Sequence, residues 1–263
     1  MDNMKISQSL MKSFATYKQG NECGLVVKAK YIEGKQSPST DAMRLGQYFE
    51  YVATGGLPAY GDGTPPEPDM VYKSKPNEKL SAPYQRAYDS AQYFKAMTSA
   101  LGIEILEVGK RIENDLMTGT TDLWVKWNDR ICIIDLKYSG LVDNKWDDMG
   151  WHEDFLEQKD KLLAQAVHYK KIAEEEIGED VPFYFFVFSS SDPNDVRIFE
   201  IIVDPSKTEQ HMIAVKNTKA LLKREIENDS WVAIPSLSRC SKCYLADECE
   251  FRALLPDIKQ IYY

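Results

Sequence analysis

A chain of 263 residues, 43% hydrophobic and 11% aromatic with no low-complexity tract, is long enough to bury a full core as one large domain or as a domain with a satellite lobe. Its net charge of -9 excludes a protein that coats nucleic acid with a broad basic face; it leaves room for an enzyme that grips nucleic acid in a narrow groove where metal ions supply the positive charge. No apolar run approaches a membrane span, and the opening Met-Asp-Asn-Met-Lys-Ile lacks the basic and apolar regions of a signal peptide, so the expectation is an intracellular, cytoplasmic protein with no membrane partner.

In chain order, Ile6 to Phe14 reads as a short helix with Ser7 or Ser9 as candidate N-cap. Gly20 to Gly24 is a turn that carries Cys23. Leu45 to Val52 is predicted helical and ended by Gly55-Gly56, with Leu45, Phe49 and Val52 on one face. Glu50 lies off that stripe, as an exposed helix glutamate or an acid facing a cleft. Leu57 to Lys79, rich in Pro, Gly and charge, predicts a mobile loop, and Tyr84 to Leu101 a helix. Ile103 to Ile112 predicts a strand with Glu104 and Glu107 on opposite faces.

The stretch Gly119 to Gly140 is the centre of the pattern. Leu123 to Trp127 and Ile131 to Ile134 are β-branched and aromatic runs around the turn pair Asn128-Asp129, which predicts a β-hairpin continued by Asp135 and Lys137. Side chains two apart in a strand share a face, so Asp135 and Lys137 emerge together with Ile131 and Ile133, while Cys132 and Leu136 face the other way. An unpaired charge in such an apolar strand is costly, whereas a carboxylate on a divalent cation with a lysine beside it is not. The pattern therefore points to a metal site, with Asp122 as a second carboxylate; the plainer alternative is an Asp-Lys ion pair at a strand rim.

Asp143 to Asp154 is an acidic, Trp-rich connection that reads as a solvated loop, with a flap over the site as the alternative. Asp154 to Glu176 follows as a long helix with Leu156, Leu162, Leu163, Val167 and Ile172 as apolar surface; on it Gln165 and Tyr169, four apart, share one face, and His168 points away from that face into a structural role. Pro182 to Phe188 predicts a buried central strand, Val196 to Val203 its partner, and Pro205 to Asn228 a final amphipathic helix. The resulting order of helices and strands predicts an α/β or α+β core with one mixed sheet flanked by helices. There is no Walker A phosphate loop and hence no motor.

The tail carries Cys240, Cys243 and Cys249 in the spacing C-x2-C-x5-C, tight enough for three thiolates to converge on one centre. Cys132, inside an apolar strand, reads as a small buried hydrophobe, which leaves Cys23 as the plausible fourth ligand. Such a centre would clasp residues 1–40 to 229–263. Zinc and an iron-sulfur cluster both accept four thiolates, and a purely structural knot is the default role.

Taken together, the chain resembles the PD-(D/E)XK nuclease superfamily, and within it the RecB-like branch that includes iron-sulfur exonucleases of CRISPR adaptation and AddB-type nuclease domains. Gly119-Thr-Thr-Asp122 resembles that branch's G-x-x-D, and Asp135-Leu136-Lys137-Tyr138-Ser139-Gly140 its D-Y-K-T-G. Gln165-Ala-Val-His168-Tyr169 matches Q-x-x-x-Y, and Cys23 followed by Cys240, Cys243 and Cys249 resembles its one early and three late cysteines. One departure is Gly46-Gln-Tyr-Phe-Glu50, where the branch usually has a histidine in place of the glutamate; glutamate binds hard divalent ions equally well.

The resemblance implies a restriction-endonuclease-like core over 1–263, with a cluster-binding lobe of 1–40 and 229–263. It implies Asp122, Asp135, Lys137, Gln165 and Tyr169 as catalytic residues, and Glu50, Asp122, Asp135 and the Leu136 carbonyl as ligands of Mg2+ or Mn2+. Cys23, Cys240, Cys243 and Cys249 would hold a 4Fe-4S cluster, with Zn2+ as the alternative. The implied activity is phosphodiester hydrolysis on DNA, most of all as an exonuclease on single-stranded ends or flaps in repair, recombination or CRISPR adaptation, beside a helicase or recombination partner in a bacterium or phage. The competing reading is a nuclease-fold module that binds DNA for a partner without cutting it.

Overall fold

The computed structural model describes residues 4–55, 80–140, 142, 151 and 160–252, and for 160–162 the backbone. The predicted loop Leu57 to Lys79, nearly all of the connection Asp143 to Asp154, and the predicted helix start through Leu156 lie outside these residues, as does Gly56. The elements are β1 (Ile6–Ser7), α1 (Gln8–Lys18), α2 (Gly24–Tyr31), α3 (Asp41–Thr54), α4 (Ala82–Ala100), β2 (Glu104–Val108), β3 (Arg111–Glu113) and β4 (Met117–Thr120). They continue as β5 (Leu123–Trp127), β6 (Arg130–Ser139), α5 (Asp160–Ile177), β7 (Phe183–Ser189), β8 (Val196–Glu200), α6 (Pro205–Asn228) and α7 (Leu237–Cys240). Among the described residues, no helix is long and apolar enough to cross a membrane.

The chain divides into two compact units, Ser39–Met212 and Met1–Pro38 with Ile213–Tyr263. The first is built on a mixed five-stranded sheet of order β2-β5-β6-β7-β8. Only β6 and β7 run parallel, with α5 in the crossover between them, and the other neighbours are antiparallel. The β5–β6 hairpin turns at Asn128 and Asp129, both with positive φ (52° and 59°), the primed-turn geometry that matches the twist of the flanking strands.

Strand parity divides the core. Leu123, Val125, Cys132, Ile134, Leu136, Phe186 and Phe188 pack with Tyr48, Phe49 and Ala53 of α3 and with Ala87, Ala91 and Phe94 of α4. Ile133, Asp135, Phe183, Phe185 and Val187 alternate with them along β6 and β7 and are also buried, so both faces of these strands are covered. Thr40 caps α3, accepting from Met43 N at 3.2 Å, and Gly55 ends it at φ 88°, where a side chain would be strained.

The predicted strand Ile103 to Ile112 is two strands, because Gly109 takes φ 63° and lets the chain leave β2 for β3. A bulge between Ile105 and Glu107 also breaks the simple alternation assumed for Glu104 and Glu107. Met117–Thr120 forms β4, antiparallel to β3, rather than extending the hairpin, and Phe183–Ser189 is a buried strand beside the central β6.

In the other unit, Ser7 is the N-cap of α1, accepting from Leu10 N at 3.2 Å. Sequence pattern missed α2, whose N-cap is Cys23 with no side-chain cap bond. A polar latch ties α1 to the segment after α6. The Tyr17 hydroxyl accepts from Val232 N at 3.1 Å, Gly24 N donates to Val232 O at 3.0 Å, and Glu225 pairs with Lys18 and accepts from Ser230 Oγ at 2.9 Å. A Cβ at Gly24 would lie 2.7 Å from both Val232 O and the Tyr17 ring, so this turn admits only glycine without movement.

Candidate active site

Asp135 lies mid-way along β6, and only 1% of its side chain is exposed. Its Oδ1 accepts from Gln165 Nε2 of α5 at 2.5 Å, and Lys137 Nζ lies 2.5 Å from its Oδ2. That second oxygen is buried and has the lysine's charge beside it but no hydrogen-bond donor in line with it. Lys137, 28% exposed, also holds its Nζ over the Phe185 ring at 5.7 Å from the centroid, so the ammonium meets both the acid and the ring face.

Asp122 stands just before β5. The register Leu123↔Ile134 brings it level with Asp135, and there its Oδ2 accepts from Leu136 N at 2.8 Å. The carboxylate thus takes over a strand N–H at the point where the ladder ends. Its own backbone is held by Gly109 N, which donates to Asp122 O at 2.9 Å. Glu50, half-buried on α3, completes the group from another element.

Electrostatics join these four residues. Burial pushes Asp122 well above the usual carboxylate range, and Asp135 and Glu50 push it further. Burial raises Asp135 too, against Lys137 and Gln165, and raises Glu50 to about 7, helped by Asp135 and opposed by Lys137. For Lys137, burial works to lower the pKa, but Asp135, Asp122 and Glu50 outweigh it and hold the ammonium above its ordinary value. Three carboxylates face one ammonium in a buried place, and without a further cation these acids hold protons rather than carry the excess negative charge.

Tyr169 follows Gln165 by one turn of α5. Its ring packs on Gly119 so closely that a Cβ there would be 2.4 Å from Cε1. Burial and the two aspartates push its hydroxyl up to about 12. The glycine of the G-x-x-D pattern is thus explained by a neighbour that the sequence does not reveal.

A family model described as a PDDEXK-like domain of unknown function (DUF3799) matches residues 13–248. The chain is a member of that family. Two solved structures share the fold of this PDDEXK-like domain. A candidate exonuclease from Eubacterium rectale superposes with TM-score 0.67 at 17% identity, covering 98% of this chain and 92% of that one. The alkaline exonuclease LHK-Exo from Laribacter hongkongensis superposes with TM-score 0.50 at 14% identity, covering 87% and 93%. No curated protein matches.

Within this domain, Glu50, Asp122, Asp135, Lys137, Gln165 and Tyr169 are drawn together by bonds, packing or mutual charge. Among the described residues, no three His, Cys, Asp or Glu are arranged as ligands of a metal ion. At the acid centre the carboxylates are turned instead onto Leu136 N, Gln165 and Lys137. Cys23, Cys240, Cys243 and Cys249 line one cavity of about 500 Å3 in the other unit, and Lys30, Arg239, Lys242 and Arg252 share its wall. Cys132 belongs to the first unit, in the core of the sheet, where burial raises its thiol to about 11.

Two features escaped sequence reasoning. The Leu136 N–H was not foreseen as the partner of Asp122, although the end of the β5 ladder one residue after Asp122 was a signal for it. The second is a buried histidine pair, His168 with His211.

Proposed function

We propose that this PDDEXK-like domain is a divalent-metal-dependent nuclease that hydrolyses DNA, acting as an exonuclease on single-stranded ends or flaps. The observation that carries this reading is the buried group of three carboxylates with a single lysine, short by two of neutrality once the acids give up their protons. Hard oxygen donors, a buried Asp135 Oδ2 with no donor in line, and acids whose protons a cation can replace fit one Mg2+ or Mn2+. Asp122, Asp135, Glu50 and the Leu136 carbonyl would hold it. Such an ion, when bound, polarises a phosphoryl oxygen and lowers the pKa of a water molecule toward neutrality.

The chain's own residues do the rest. Lys137, kept protonated by its acidic neighbours, is the cation that faces charge developing on the phosphate as the attacking oxygen bonds to phosphorus and the leaving nucleotide departs. Gln165 holds Asp135 by its amide. Tyr169, protonated at any physiological pH, is a hydrogen-bond donor available to a phosphate oxygen. The shared fold with an alkaline exonuclease supports the activity class, and the run from G-x-x-D through Q-x-x-x-Y supports the RecB-like branch. On this reading the protein works in repair, recombination or CRISPR adaptation, beside a helicase or recombination partner.

For the second unit the reading is a 4Fe-4S cluster, its ligands being four cysteines that share one cavity without being gathered as metal ligands among the described residues. Four thiols lining one cavity are the soft donor set such a cluster takes, and zinc is the alternative occupant. Residues 1–40 and 229–263 would form the cluster lobe, a proposal supported by the compactness of Met1–Pro38 with Ile213–Tyr263. Purified protein incubated with end-labelled single- and double-stranded DNA and Mg2+, Mn2+ or chelator tests the activity. Metal-dependent release of nucleotides from ends supports it; binding without cutting in any metal would instead make the protein a DNA clamp.

A further inference from the structure

His168 lies on α5 between Gln165 and Tyr169, and it is fully buried. Its Nε2 is 3.2 Å from the Thr118 carbonyl of β4, and its Nδ1 is 3.0 Å from His211 Nε2 of α6. A carbonyl only accepts, so Nε2 of His168 carries the proton. With His168 neutral, its Nδ1 is then a lone pair and His211 Nε2–H donates to it. Burial pushes His211 down to about 4, which keeps that ring neutral. The rings cross at 88° with centroids 5.2 Å apart, an edge-on approach suited to a donor meeting an in-plane lone pair.

The Thr118 carbonyl adjoins Gly119, and Gly119 is where the Tyr169 ring seats. Helix α5 therefore meets β4 at two consecutive places: a directional bond from His168 and a close packing contact from Tyr169. One turn earlier, Gln165 donates to Asp135. Apolar contact with Ala166, Val167, Ile172 and Ala173 holds the helix on the sheet but is non-directional and tolerates rotation about the helix axis. A hydrogen bond with a fixed donor direction does not.

We propose that His168 and His211 are positioning residues for the acid centre: the relay from His211 through His168 to the Thr118 carbonyl sets the rotation of α5, and so sets where Gln165 and Tyr169 stand against Asp135. The inference rests on the nuclease reading for its effect on turnover, while its structural content can be tested without turnover.

The test uses the full chain, with 15N-labelled imidazoles and the Gly119 Hα resonances, which the ring current of Tyr169 displaces. In the wild type, His168 should show a protonated Nε2 and an unprotonated Nδ1; the opposite tautomer overturns the proposal without any variant. H211Q keeps an amide donor in place of Nε2–H, whereas H211L removes it. H211L should move the Gly119 Hα shifts toward random-coil values and lower kcat on end-labelled DNA with Mg2+ by about 10–100-fold with KM within about twofold. H211Q should restore both. A leucine variant that matches wild type, or a glutamine variant that behaves like leucine, overturns the proposal, since packing alone would then suffice. If the wild type does not cut at all, the nuclease reading fails, and the tautomer and the Gly119 shifts still decide the positioning.

Discussion

The acid centre and the cysteine cavity bring their side chains together by different means. Asp135 is built into a strand with neighbours on both sides, between layers that bury Phe183, Phe185, Phe186 and Phe188 completely. Each such ring contributes about 1.5–3 kcal/mol by burial. The segment with three of the four clustered cysteines has no such support: none of the described residues from 226 to 252 is buried. It is shaped by single turns, such as Cys243 N to Cys240 O at 3.3 Å and Arg252 N to Cys249 O at 3.2 Å. The ion pairs Lys35–Glu248 and Arg252–Asp247 are exposed and screened by solvent, so they add little. An ion at the acid centre would act on a scaffold that stands without it, whereas an ion at the cysteines would be part of the scaffold.

The sharpest break between the two regions is in activity against stability. D135N and K137M should each lower DNA cleavage on the order of a thousandfold or more, since several kcal/mol of charge stabilisation is at stake and each ~1.4 kcal/mol is tenfold. Both variants should keep the circular dichroism of the parent and the colour of any cluster. Wild-type cutting by either would remove the chemistry from this centre.

The converse holds for the cysteines. Anaerobically purified protein should be brown and contain about four irons per chain. Serine at Cys23, Cys240, Cys243 or Cys249 should bleach it and open residues 229–263 to protease while Ser39–Met212 stays resistant. Serine at Cys132 should leave the colour intact, since that thiol lies in the sheet core. A colourless chain with one tightly held zinc would keep the scaffold role and reject the cluster.

What could be read from sequence follows the same division. The hairpin was legible because Asn128-Asp129 is a local turn signal, and the opposed faces of Asp135 and Leu136 because strand parity is a local rule. The pairing of Gln165 with Tyr169 was legible from helical spacing, but not that Gln165 would hold Asp135 or that Tyr169 would seat on Gly119. Helix α2 was hidden because Leu25-Val26-Val27 has the β-branched character of a strand and Cys23 is no capping signal. From sequence His168 reads only as structural, because its partner His211 lies 43 residues away on another helix. Local chemistry announces itself; partners brought by topology do not.

An intermediate effect is expected where α5 meets the centre. Q165A and Y169A should reduce turnover by about 10–100-fold without altering Mn2+ affinity, because on this model they touch the acids and the substrate rather than the ion. G119A should resemble Y169A, since its Cβ would lie 2.4 Å from the ring and force the tyrosine out. Loss of Mn2+ binding in Q165A, read by calorimetry, would mean that the amide shapes the ion site itself.

The smallest effect, and the finest discriminator, is the pH dependence of ion binding. Burial raises Glu50 from 4.5 to about 7 and lifts Asp122 and Asp135 as well, so in the absence of a divalent ion the folded centre holds protons that the unfolded chain has released. The native state binds more protons than the unfolded one between those values, and stability from this centre falls as pH rises from about 4.5 through 7. Lys137 is raised as well, so its stabilisation is present below its ordinary value and lost only at much higher pH; it is constant across this window. A divalent ion replaces the protons that the acids give up. Mn2+ should therefore raise Tm by a few degrees at pH 8 and by much less at pH 5. E50Q should flatten this difference and weaken cleavage at limiting Mn2+, with partial rescue at high Mn2+, because a lost ligand lowers occupancy before it alters the chemistry. An equal Mn2+ shift at both pH values, or an E50Q variant with the wild-type profile, would return Glu50 to the ordinary surface of α3.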